Sequence, residues 1–171
     1  MNSNSSPASP EIARRQIPAL AGWMVLCFAA SATAVLVSTQ GWFAQLDKPA
    51  WNPPAWVFGP VWTLLYAMMA VAAWLVWRQG GWKANKRALG LFVLQWLLNA
   101  LWTPLFFGLH RPGLAFAEIV ALWLILAITV VGFWRVRKIA GMLLLPYLAW
   151  VTFAAALNFA IWWLNHQGAA Q

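Results

Sequence analysis

Long apolar runs alternate with short polar links along almost the whole chain. Residues 18 to 39, 56 to 77, 88 to 109, 113 to 134 and 139 to 165 are each predominantly apolar and at least 22 residues long, where about 20 suffice to cross the hydrocarbon of a bilayer as a helix. The pattern predicts an all-α polytopic membrane protein, a bundle of five transmembrane helices. The links are too short for a further domain, and no span could satisfy its polar groups without neighbours, so 18 to 165 form one unit. Residues 1 to 17, rich in Ser, Asn and Pro, read as a disordered polar tail, and 166 to 171 as a short C-terminal tail. A secretory signal competes for the first span, because Arg14 and Arg15, an apolar run and Ala32-Thr33-Ala34 imitate its layout. The apolar stretch continues through Val35, Leu36 and Val37, which favours one continuous helix.

Composition narrows the chemistry. Hydrophobic residues make up 63% of the 171 and charged ones 8%, far from a soluble domain. With three acidic residues, Glu11, Asp47 and Glu118, a paired-carboxylate active site has almost no raw material. A single cysteine, Cys27, cannot form an internal disulfide, and two histidines 56 positions apart leave no ligand set for a metal. The net charge of +8 comes from basic residues set singly or in short clusters between apolar runs, which orients a chain in a bilayer and argues against nucleic acid. Nine of them share the N-terminal side of the spans, and only Lys48 and Arg111 lie opposite. By the positive-inside rule the N-terminus is cytoplasmic and the first loop faces outward, as expected in a bacterial inner membrane.

Fifteen tryptophans exceed what two membrane surfaces can use as anchors, so many lie at bilayer depth. The first loop, Trp42-Phe43-Ala44-Gln45-Leu46-Asp47-Lys48-Pro49-Ala50-Trp51-Asn52-Pro53-Pro54, carries three prolines and reads as a stiff extended cap bearing aromatic rings. It leads into Gly59-Pro60-Val61-Trp62-Thr63-Leu64-Leu65-Tyr66. With Asn99-Ala100-Leu101-Trp102 in the third span and Pro146-Tyr147-Leu148-Ala149-Trp150 in the fifth, the chain resembles the tryptophan-rich sensory protein family, also called the TspO/translocator protein or peripheral-type benzodiazepine receptor family, over about residues 20 to 165. The resemblance implies a five-helix bundle, usually a homodimer, that binds porphyrins and other flat hydrophobic ligands beneath the first loop without a required cofactor. It places Trp62, Tyr66, Asn99, Trp102, Trp150 and Ala154 in the pocket wall, with Trp42, Phe43 and Trp51 closing it from the loop.

Helical spacing agrees with such a slot. Trp62 and Tyr66 share a face, as do Gln95, Asn99, Trp102 and Phe106, and as do Tyr147, Trp150, Ala154 and Asn158. Indole and phenol rings offer stacking area to a planar guest, and single amides orient its polar edge. Ala154 leaves room beside them. The same stripes would serve as plain helix-packing faces with amides bonding across helices, and the residues alone leave both readings open. Glu118, the one acid inside a span, is a ligand-site candidate by default, or pairs near the interface with Arg111 or His110. Asp47 and Lys48 are expected to pair within the loop. Pro104 and Pro146 are expected to bend their helices, and Ala30, Ala34 and Ser38 or Gly90 to mark close helix contacts or a dimer seam.

Two departures from the family pattern bear on ligand choice. The stretch Leu157 to His166 has neither Tyr nor Lys/Arg, so the cholesterol motif credited to eukaryotic members is missing, which lowers sterol binding as the native role. Phe43 stands where many members have Tyr. The reading that results is a membrane receptor or sensor for protoporphyrin IX or haem, possible transport being little supported because no internal repeat or interrupted helix pair is present. The rival is an enzyme degrading porphyrin in light and oxygen, with Trp62 or Trp150 as redox partner.

Overall fold

Backbone polar groups inside a bilayer must be satisfied within the segment that carries them, and the chain meets this with helices throughout. The computed structural model describes residues 10–33 and 41–167. Its long helices are α1 (Pro10–Ala29), α2 (Phe58–Trp77), α3 (Gly81–Thr103), α4 (Pro112–Val136) and α5 (Lys138–Gln167), and no strand occurs among the described residues. Four helical stretches are long and apolar enough to cross a membrane: Ala55–Trp77, Gly81–Gly108, Pro112–Val136 and Lys138–His166. At about 1.5 Å per residue even the shortest reaches roughly 35 Å. The apolar part of α1, Gln16–Ala29, is shorter.

Boundaries differ from the expected spans in three places. Helix α1 opens at Pro10, inside the stretch read as a tail, since a proline is tolerated in a helix's first turn. It ends at Ala29 in a turn instead of running unbroken to 39, because the Ser31 and Thr33 hydroxyls bond to the carbonyls of Phe28 and Ala30 three residues back. Residues 34–39 of that expected span, with Ala34 and Ser38, lie outside the described residues. Helix α3 begins at Gly81, seven residues before the expected 88. Gly80 and Gly81 reverse the chain with φ of 104° and 71°. The Asn85 carboxamide, at a kink in α3, then donates to the carbonyls of Val76, Gln79 and Gly81, which closes the C-terminal end of α2.

Helices α2, α5, α4 and α3 pack in a ring in that order, and α1 lies outside against α2. Trp74 donates to the Gln16 carbonyl, and Trp23 meets Phe92 of α3 edge-on, so α1 is held at two depths. The core below the ring centre is apolar, with Phe92 stacked on Phe133 at 5.6 Å. The turn joining α4 to α5 closes because Gly141 has no side chain: a Cβ there would lie 2.9 Å from Trp134 Cα. Large apolar side chains such as Val25, Leu64 and Ile128 are more than half exposed, as lipid contact demands. Pro146 sits inside α5 without ending it. Pro104 does alter its helix, since residues Pro104–Gly108 form a π turn in which Leu109 N–H reaches the Pro104 carbonyl.

A lidded aromatic cavity

At the end of the bundle beneath the first loop, the ring of helices opens into a cavity of about 760 Å³. This lies within the usual size range of small-molecule sites. Each neighbouring element supplies part of its wall, and no charged side chain lines it among the described residues.

The stripes expected from helical spacing meet here. Of the twelve candidate site residues, Phe43, Trp62, Tyr66, Asn99, Trp102, Trp150, Ala154 and Asn158 line the cavity. Trp62 stacks on Tyr66 one turn later, with ring centroids 5.1 Å apart. The Tyr66 hydroxyl donates to Asn99 Oδ1 at 3.2 Å. That bond occupies the amide oxygen and leaves the Asn99 NH₂ as the donor available to a guest. On the opposite wall Trp102 Nε1 donates to Asn158 Oδ1 at 3.1 Å, and Asn158 Nδ2 donates to the Pro112 carbonyl at 2.8 Å. Asn158 thereby ties α3 to the start of α4, and its own amide is used up by the fold. Trp150 faces the cavity between Phe58 and Phe153, at 5.8 and 5.5 Å.

Four candidates lie elsewhere. Trp42 stacks on the His110 imidazole at 4.5 Å, and half-exposed Trp51 meets Phe153 edge-on at 5.7 Å, so both brace the lid and neither lines the cavity. Tyr147 is fully buried beside Trp62, as part of the floor. Glu118 is buried on the inward stripe of α4, but its neighbours Ile119 and Leu122 take the cavity face. Its carboxyl oxygens have no hydrogen-bond partner, so the expected pairing with Arg111 or His110 is not made. Gln95, one turn below Asn99, is likewise buried without a partner for its amide. In the loop, Lys48 does not pair with Asp47; its ammonium donates to the carbonyls of Ala44 and Leu46 at 3.3 and 2.7 Å and lies over the Phe43 ring.

Sequence reasoning missed several wall residues. Phe153 stands three positions after Trp150 and could have been found on the same stripe. Phe107 could not, because the π turn after Pro104 brings it to the wall together with Phe106, against the ordinary helical register. Phe28 arrives from α1, tilted against Tyr66 at 5.7 Å, and only the packing of α1 on α2 puts it there. The chemistry on offer is an aromatic slot with a few neutral hydrogen-bonding groups. No group of three or more His, Cys, Asp or Glu side chains comes together among the described residues.

Comparison with known proteins agrees with this architecture. The sequence model of the TspO/MBR family matches residues 18–164. A tryptophan-rich protein TspO of Chlorobaculum tepidum is 43% identical over 156 residues, covering 88% of this chain and 98% of the relative. Protein CrtK of Rhodobacter capsulatus is 41% identical, over 84% of this chain and 90% of its own length. The translocator protein of Sus scrofa is 36% identical, over 91% and 90%.

Proposed function

The chain belongs to the TspO/MBR family of integral membrane proteins, and from that membership we propose that it is a receptor or sensor binding protoporphyrin IX, haem and similar flat hydrophobic molecules in the lidded cavity. The observation that carries this reading is the wall itself: the rings of Trp62, Tyr66, Trp102 and Trp150 border about 760 Å³ of space, with no charged side chain in its lining among the described residues. A tetrapyrrole presents a wide π-face to such rings and a few polar edges to single amides. Asn99, its oxygen engaged by Tyr66, offers an N–H donor to a hydrogen-bond acceptor on the guest. The lining rings offer a haem stacking on its faces, and the few neutral amides and hydroxyls offer hydrogen bonds to its edges.

The setting that fits this reading is a bacterial inner membrane, with the nine basic residues of the N-terminal side in the cytoplasm and the lid outside. A homodimer is the assembly expected with it. Support comes from α3, where Gly90 has open space beside it and Leu94, Leu97 and Leu101 are exposed along one side. The test is titration of the detergent-solubilised protein with protoporphyrin IX, followed by tryptophan quenching, for wild type and Asn99→Ala. Affinity should fall about five- to tenfold in the variant, the loss of one buried hydrogen bond. Equal affinity in both proteins would refute the site.

A further inference from the structure

The lid carries a contact that its role as a passive cover does not require. At the last turn of α5, the Asn165 carboxamide pairs with the peptide groups of Asp47: Asn165 Oδ1 accepts from the Asp47 N–H at 3.0 Å, and Asn165 Nδ2 donates to the Asp47 carbonyl at 2.9 Å. The same Nδ2 also donates to the Ile161 carbonyl at 2.7 Å, so the carboxamide is held in place by its own helix. We propose that Asn165 is the latch of the lid, and that ligand enters and leaves the cavity by release of this pair. The proposal rests on the cavity being the ligand site.

Three features support it. Among the described residues, every other hydrogen bond made by segment 41–57 stays within that segment or joins it to the start of α2: Lys48 to Ala44 and Leu46, Asn52 to Pro53 and Pro49, Leu46 to Phe43, Val57 to Pro54, and Phe58 N–H to the Ala55 carbonyl. Among the described residues the Asn165 pair is therefore the one hydrogen-bonded link from the lid to α5. The other fastenings seen are ring contacts, Trp42 on His110 and Phe106, Phe43 on Phe106 and Phe107, and Trp51 on Phe153, which tolerate sliding as a hydrogen-bond pair does not. The lid is also stiff, through three prolines and the Lys48 clamp over Phe43, so loss of one fastening is felt along its length. Finally, the pair is exposed to water, which can replace both bonds. Such bonds hold a closed state without making it permanent.

The experiment uses the whole chain in detergent, with wild type, Asn165→Leu and Asn165→Asp. Leucine keeps the shape and removes both bonds, whereas aspartate keeps the acceptor for the Asp47 N–H. In the ligand-free protein, hydrogen exchange over residues 42–52 should quicken about tenfold in Asn165→Leu and less in Asn165→Asp. Stopped-flow mixing with protoporphyrin IX should show association and dissociation both faster by a similar factor, with the equilibrium affinity changed by less than about threefold. Unchanged exchange over 42–52 overturns the latch. Faster exchange with unchanged ligand kinetics overturns passage beneath the lid. Faster exchange in a protein that takes up no porphyrin even as wild type upholds the latch and sinks the porphyrin reading instead.

Discussion

Replacing Trp150 by alanine is expected to weaken protoporphyrin IX binding by about 30- to 150-fold. An indole buries about 150–250 Å², and Trp150 has part of its ring against Phe58 and Phe153, leaving roughly 80 Å² for a guest. At about 25 cal/mol per Å² that area is worth about 2 kcal/mol. An offset-stacked ring pair adds about 0.5–1.5 kcal/mol, and some of it is recovered as the guest settles into the vacated space. A net loss of about 2–3 kcal/mol gives the stated range. Porphyrin absorbance is the right readout, because the variant has lost one of the fluorophores a quenching assay counts. Trp82→Phe serves as control: half-exposed Trp82 sits in the first turn of α3, at the opposite end of that helix from Asn99 and Trp102. A change of less than about threefold in Trp150→Ala, or an equal loss in Trp82→Phe, would refute the assignment of Trp150 to the ligand-facing wall.

Two further outcomes concern the scaffold. Gly141→Ala should lower stability by about 1–3 kcal/mol, because its Cβ would press on the Trp134 backbone where the α4–α5 turn closes, whereas Gly22→Ala, with open space around it, should not; thermal melts of both variants in detergent by circular dichroism check this, and an unchanged midpoint for Gly141→Ala contradicts the packing. Glu118→Leu should be neutral or stabilising by up to about 2 kcal/mol, since it removes two buried oxygens that have no partner; a melting midpoint well below wild type would mean that the carboxyl group is satisfied by something the bundle holds in solution.

The helices and the character of the site were legible from the order of residues alone. Lipid offers no hydrogen bonds, so an apolar run of 22 residues has essentially one way to cross it, and helical spacing then assigns each side chain to a face. That is enough to put Trp62 with Tyr66 and Asn99 with Trp102, and to see that both faces are aromatic and uncharged. Periodicity stops there. It does not say how far a helix is rotated toward its neighbour or how deep a residue sits, so it could not tell that Tyr147 is buried in the floor and that Glu118 is buried between helices outside the cavity lining. Both quantities depend on contacts between residues far apart in the chain. Tyr66 finds Asn99 at a separation of 33, Trp102 finds Asn158 at 56, and Asp47 finds Asn165 at 118. The π turn after Pro104 also shifts the register locally, bringing Phe107 to the wall against the helical count. The sequence by itself determined a membrane bundle with aromatic, nearly uncharged inner stripes, because hydropathy and helical period are local properties. Only the tertiary structure decided which of those rings enclose a space, which prop the lid and what holds it shut, because rotation, depth and lid position are settled by all the helices packing at once.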